Sequence, residues 1–356
     1  MLFGKRSSLF GLDIGSNALK LAEIRRTGKG YQLLNAGIMH LPPEAIVEGA
    51  IMNAPAVVDA IRNLLDVHRP ESRNVATSVC GHSVIIKKIS LPAMSREELE
   101  QSIQWEAEQY IPFNIHDVNL DYQILSPAGE KGDEAASGQM DVLLVAAKKD
   151  LVEDYASLLR EADLRPVIMD VASFAVENMY EANADVDEDE VIAIFNIGAS
   201  ITNINIFKNG ASLFTRDIHF GGNQFNEEIQ KALNLSFQEA EYLKLGGSGR
   251  EEHQREVQEI LERITEVLLN ETQRSLEFFS ATSGSEKIHR VVLCGGCSAL
   301  PGLAGRMEER LGTPVDLADP FRRVIADPAK FRPEYLKEIQ PFMGVSVGLA
   351  LRSVGD

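Results

Sequence analysis

Two short runs of residues in this chain have the composition to hold an anion. Asp13-Ile14-Gly15-Ser16-Asn17 and Asn196-Ile197-Gly198-Ala199-Ser200 can be laid on one another, and each leads from one apolar strand into a second apolar-alternating run. In both, a glycine stands where backbone must come close to something and small hydroxyl or amide residues follow, so the hairpin turn presents N–H groups to an anionic ligand. A third turn, Gly295-Gly296, follows the apolar strand Val291-Val292-Leu293. Singly, each turn is weak evidence, because Asp, Gly and Ser build many hairpins for structural reasons alone. Recurrence strengthens the reading and implies two related domains that face one another.

Such turns need sheets and helices behind them. Apolar spacing at Val57, Val58, Ile61, Leu64 and Leu65 predicts a helix over residues 55–67, with a strand near 74–80. The texture then changes: a strand over 84–91, a helix over 95–110 and an extended run over 118–125 read as a small subdomain, about 83–147, inserted into the first domain. Ser95 with Glu98 forms a capping box, worth about 1 kcal/mol. Ile111-Pro112 ends that helix, because proline lacks a donor and restricts the residue before it. Residues 126–139, rich in Gly, Ser, Ala and charge, read as an exposed hairpin loop.

A strand over 141–147, an amphipathic helix over 150–162 and a strand over 166–170, ending at Asp170, complete the first half. The second half repeats the hairpin, adds a strand over 213–219 and turns at Gly221-Gly222 into a helix over 223–233. Spacing at Val257, Ile260, Leu261, Ile264, Val267, Leu268 and Leu276 predicts a long core helix over 251–279. Helices over 300–311 and 344–351 follow, the last returning to the first half. The fold class is therefore α/β in two domains: residues 8–187 with 340–356, and 188–339 with a helical subdomain about 223–284. The acidic run Asp185, Asp187, Glu188, Asp189 and Glu190 marks the boundary and reads as a solvated loop.

At 356 residues and 44% hydrophobic content the chain can bury more than one core. Its formal net charge of −18 argues against nucleic acid or anionic lipid as the main partner. Cys80, Cys294 and Cys297 are too few for a disulfide framework and fit a reducing cytoplasm. Cys294-Gly295-Gly296-Cys297 has redox spacing but reads as a turn. The seven histidines form no ligand-like pairs, so any metal should arrive with a ligand. No apolar stretch approaches the ~20 residues needed to cross a bilayer, and the expectation is a protein neither secreted nor membrane-spanning. Leu2, Phe3, Leu9 and Phe10 beside Lys5 and Arg6 could touch a membrane or partner surface, although a first strand accounts for most of them.

Two hairpins and a later strand ending in Gly295-Gly296 resemble the way the actin, Hsp70 and sugar-kinase superfamily binds ATP between its domains. The resemblance spans nearly the whole chain and implies a two-domain actin/Hsp70-like ATPase fold with ATP or ADP and magnesium as cofactors. It implies that Gly15, Ser16 and Asn17 meet the phosphates, that Lys20 reaches them as a point charge, and that Asp13 holds magnesium through water. Asn196, Gly198, Ala199 and Ser200 correspond to the second phosphate hairpin. Asn196 stands where that superfamily commonly has aspartate, and an amide supplies neither negative charge nor a proton acceptor of carboxylate strength, which puts fast hydrolysis in question. Asp170 is then the candidate catalytic residue for positioning an attacking water, with a helix cap as its structural alternative. The run Leu293-Cys294-Gly295-Gly296-Cys297-Ser298 resembles the adenosine motif, and Glu241 and Lys244 match a segment of FtsA and MreB that meets the adenosine.

The insertion before the connecting strand resembles FtsA more than actin, MreB or a kinase. Gln104-Trp105-Glu106-Ala107-Glu108-Gln109-Tyr110-Ile111-Pro112-Phe113 and Gln273-Arg274-Ser275-Leu276-Glu277-Phe278-Phe279 resemble segments of the PilM family of type IV pilus assembly, and the closing run from Phe342 to Leu351 fits, without the amphipathic anchor of FtsA after it. That resemblance implies a cytoplasmic adaptor, peripheral at the inner membrane, that binds ATP and the N-terminal peptide of PilN. Through PilN and PilO it would link the membrane complex to the pilus assembly motor ATPases that serve twitching motility. Trp105, Ile111, Pro112 and Phe113 are candidate walls of the peptide groove, with inward packing as the alternative. Other readings are an FtsA-like filament subunit, the cytoplasmic scaffold of type II secretion and, with no carbohydrate-binding constellation to support it, a sugar kinase.

Overall fold

Largely apolar strands buried on both faces, such as Ile192–Ile197 with only Asn196 partly exposed, require sheets covered on both sides. The structure, a computed structural model, describes residues 8–126, 138–248, 251–284 and 286–353. The expectations for Leu2, Phe3, Lys5 and Arg6 and for most of the 126–139 loop lie outside them.

The first sheet runs in the order Arg165–Val171, Asn74–Val79, Phe10–Ile14, Ala18–Thr27, Gly30–His40, Val324–Ile325. The second runs Val315–Leu317, Arg290–Cys294, Ile192–Ile197, Thr202–Lys208, Ala211–Ile218. Apart from the added Val324–Ile325 the two orders are the same. In each, an antiparallel hairpin and a third antiparallel strand lie on one side, with two parallel neighbours on the other. The repeat seen in sequence is thus a repeat of topology. Because Val324–Ile325 pairs with Tyr31 and Gln32, the chain is back on the first sheet before residue 340.

Between the sheets lie the helices Ala172–Asn183 and Gly344–Ala350, whose apolar residues share a core with Ile194, Phe207 and Val292 of the second sheet. Their approach depends on a missing side chain: a Cβ on Gly348 would fall 1.6 Å from the Ala175 carbonyl oxygen. Any side chain there must push two helices apart, at a cost of about 1–3 kcal/mol or more.

The inserted unit is a three-stranded antiparallel sheet with Gln139–Lys148 between Val84–Pro92 and Val118–Ser126. Helix Arg96–Ala107 starts at the expected Ser95–Glu98 capping box and covers one face through Leu99, Ile103 and Ala107. The opposite face carries Asn119, Asp121 and Gln123, paired across strands with Ala147, Val145 and Leu143.

Details depart from the sequence reading. Helix Glu251–Thr282 forms, but Val267, counted in its apolar stripe, is 44% exposed. The acidic run is not simply solvated: Asp185 pairs with Arg323, and Glu190 with Arg290 at 2.9 Å, tying the connection to the second half. The strands Val315–Leu317 and Val324–Ile325 and helix Pro333–Ile339 had no periodic signal long enough to be read.

Candidate nucleotide cleft and partner groove

The two hairpins close with the same turn. Gly15 N–H donates to the Ala18 carbonyl at 3.1 Å, and Gly198 N–H to that of Ile201 at 3.0 Å. Seven residues apart, the flanking positions face one another across each hairpin: Asp13 opposite Lys20, and Asn196 opposite Asn203. The first pair is an ion pair at 3.1 Å; the second is a hydrogen bond in which Asn196 Nδ2 donates to Asn203 Oδ1 at 3.0 Å. One hairpin therefore offers a carboxylate and an ammonium, the other two amides.

Both hairpins open onto one cavity between the domains. Asp13, Gly15, Ser16, Asn17 and Lys20 line it from the first side, Asn196, Gly198, Ala199 and Ser200 from the second. Gly295 and Gly296 join them. Gly295 has φ +84, and a Cβ there would lie 2.4 Å from the Ile197 carbonyl oxygen, so both conformation and space demand glycine. Phe342 reaches over Gly296. Glu241 and Lys244 also line the cavity: Lys244 is buried, donates to Glu241 Oε2 at 2.6 Å and is joined there by Asn226 Nδ2, also at 2.6 Å. The pair lies on helix Phe237–Lys244, which starts at a Ser236–Glu239 capping box.

Two expected residues are not brought there. Ser298 is buried and donates to the Gly295 carbonyl at 2.7 Å, so it braces the turn without lining the cavity. Asp170 lines a different cavity, where Oδ2 faces Arg352 Nε at 3.2 Å and Oδ1 accepts from Val171 N–H. Burial raises its pKa, and Arg352 opposes the rise. Its carboxylate is committed to the C-terminal segment and is not placed to orient water at the hairpins.

The cleft measures about 120 Å³, below the ~300–1,000 Å³ of ordinary small-molecule sites. Its donor set suits a magnesium–phosphate ligand: the carboxylate of Asp13, beside hydroxyl and amide side chains and two lysines, with the second carboxylate, Glu241, held by Lys244. The thiols are not redox-poised, since burial pushes Cys80 up to about 12 and Cys297 up to about 11.

The sequence reading missed what lies behind Asn196. Asn203 Nδ2 donates to Asp217 Oδ1 at 2.7 Å, and Asp217 Oδ2 accepts the Gly81 N–H at 2.5 Å. A polar chain thus runs from the second hairpin to the turn Gly81–Val84, at the root of the inserted sheet.

The second cavity, about 710 Å³, lies between the inserted sheet and the first domain. Leu143, Val145 and Ala147 face helix Ala172–Asn183 across it. The expected groove residues do not meet there: Trp105 is 72% exposed on the helix over the other face, Ile111 is buried in that helix's core, Pro112 is exposed, and Phe113 lies under Lys148 Nζ at 4.5 Å. The inserted sheet provides a groove, but on the face opposite Trp105.

The family model for type IV pilus assembly protein PilM matches residues 11–354. This chain belongs to the PilM family. The solved PilM-PilN type IV pilus biogenesis complex is similar to it at 32% identity and a TM-score of 0.86, over 99% of this chain and 100% of that one. Cell division protein FtsA of Bacillus subtilis (strain 168) is 23% identical over 89% of this chain and 80% of its own length. The fold is actin-like: the ADP-bound structure of MreB5 of Spiroplasma citri matches with a TM-score of 0.52 at 12% identity, over 96% and 94% of the two chains. Among the described residues no helix is long and apolar enough to cross a membrane.

Proposed function

We propose that this PilM-family chain is a cytoplasmic, nucleotide-loaded adaptor at the inner membrane. It binds magnesium-ATP or ADP between its two hairpins and holds the N-terminal tail of PilN between its inserted sheet and first domain. Through PilN and PilO it connects the membrane complex to the pilus assembly motors. The observation that carries this reading is the likeness, over 99% of the chain, to a structure solved as a PilM-PilN complex.

The local chemistry supports each part. Asp13 is the carboxylate for magnesium, which supplies charge neutralisation to the phosphates, and Lys20 and Lys244 supply further positive charge from opposite sides of the cleft. With Asn196 in place of a carboxylate and Asp170 turned to Arg352, the cleft is equipped to hold ATP and poorly equipped to hydrolyse it. In the groove, an extended tail would pack apolar side chains on Leu143 and Val145. It would also pair with Val118–Ser126, which is an edge strand of the inserted sheet among the described residues.

Titrating a labelled PilN tail peptide tests the reading. The wild type should bind it, and Val145→Lys, a change on the groove face, should abolish binding while the protein stays folded. No binding to the wild type would overturn the adaptor role, whereas unchanged binding to folded Val145→Lys would overturn only the groove.

A further inference from the structure

The groove wall opposite the inserted sheet is acidic to an extent that its apolar half does not need. Glu177 and Glu181, one turn apart on helix Ala172–Asn183, line the groove with Asp170 and, from the edge strand, Asp121. Among the described lining residues the only cation is Arg352, and it faces Asp170. Four carboxyl groups against one guanidinium leave the wall with more acidic than basic side chains.

These groups are also incompletely satisfied. Asp170, 7% exposed, has no hydrogen-bond donor to Oδ2 despite its ion pair, and the buried Nδ2 of Asn178 on the same wall has no acceptor. Glu177, 6% exposed, is held through Oε2 by Asn205 Nδ2 at 2.5 Å. Buried polar atoms are satisfied in the great majority of cases, so unpaired ones on a cavity wall point to a polar occupant. Burial pushes the Glu177 carboxyl up to about 8, with the charges of Glu181 and Asp170 adding to the rise, so near neutral pH it is a counter-charge only when a cation beside it draws the proton off.

We infer that this groove selects a peptide carrying a lysine or arginine beside its apolar residues, and that Glu177 and Glu181 are the counter-charge that reads it. The inference rests on the tail-binding reading above and names the chemistry that the tail must have. A cytoplasmic segment flanking a membrane span is enriched in Lys and Arg, so the tail of an inner-membrane partner meets that requirement. Glu177 lies deep, where a desolvated charge pair discriminates most; Glu181 lies at the mouth, where a would-be Cβ on Gly210 comes within 3.4 Å of Oε1.

The test compares two synthetic peptides on the full chain: the PilN N-terminal tail, and the same tail with every Lys and Arg replaced by Gln. The wild type should bind the natural tail about tenfold or more tightly than the neutral one, as a close charge pair gives. The isosteric double variant Glu177→Gln/Glu181→Gln should lose that preference and bind both peptides as the wild type binds the neutral one. If the double variant fails to fold, Glu181→Gln alone, at the mouth, carries the comparison. Equal wild-type affinity for the two peptides, or a preference that survives in the variant, overturns the charge reading. Failure of both peptides to bind overturns tail binding itself.

Discussion

Asp217 of the second domain accepts the backbone N–H of Gly81 in the first at 2.5 Å, from a carboxylate otherwise held by Asn203. Burial raises the pKa of Asp217, while Asn203 and Gly81 favour its charged form. The contact joins the back of the second hairpin to the root of the inserted sheet, so any parting of the domains would strain or break it.

Replacing Asp217 with Ala leaves two buried donors without an acceptor and should destabilise the protein by about 2–3 kcal/mol, measured by chemical denaturation. Any change in tail-peptide affinity between the apo, ATP and ADP forms of the wild type should shrink in this variant, because a ligand shifts closure only by its differential affinity for the two states. Identical affinities of all three wild-type forms would rule out such coupling.

Asp13→Ala should weaken magnesium-ATP binding by tenfold or more, about 1.4 kcal/mol, in calorimetric titration of the folded variant. The loss should be largest when magnesium is present, since the carboxylate is assigned to the metal. It also frees Lys20 from its partner at 3.1 Å, which partly offsets the loss when magnesium is absent.

Glu177 gives stability a pH dependence with a definite sign. Its carboxyl is raised to about 8 in the folded protein, so between its ordinary unfolded value and about 8 folding takes up a proton. The contribution is complete below the unfolded value and is lost as pH rises through about 8, with a limiting slope of about 1.4 kcal/mol per pH unit. Denaturant midpoints should therefore fall less between pH 5 and pH 8 (roughly the window of this shift) for Glu177→Gln than for the wild type. A parallel pH profile of the two would remove Glu177 from this role.

Trp105→Ala should change stability by no more than about 0.5 kcal/mol, because the side chain is exposed and belongs to no buried cluster. A loss of several kcal/mol on thermal or chemical unfolding would mean that the indole packs inward after all.

What the sequence revealed follows from the range of the interactions involved. The hairpins were legible because turn chemistry is local and each half states it separately; the same holds for the Ser95 cap. Asn203 was within reach, since laying the second hairpin on the first puts it opposite Asn196 as Lys20 is opposite Asp13. Asp217 was not, because its value lies in a contact with Gly81 that no local pattern encodes. Asp170 was placed at the end of its strand, but its side-chain direction is set by Arg352, far along the chain. Trp105 could have been read better: Leu99, Ile103 and Ala107, at i, i+4 and i+8, define the inward stripe and leave Trp105 off it.

The central claim is a cleft that retains ATP. Purified protein would be incubated with magnesium-ATP, stripped of free nucleotide at several times, and its retained nucleotide identified by chromatography, with Asp13→Ala alongside. The account predicts intact ATP held by the wild type for hours and little held by the variant. A wild type that retains no nucleotide, or a folded Asp13→Ala that retains as much, would contradict it; steady conversion to ADP would contradict the assignment of Asn196 and Asp170 to a non-hydrolytic cleft.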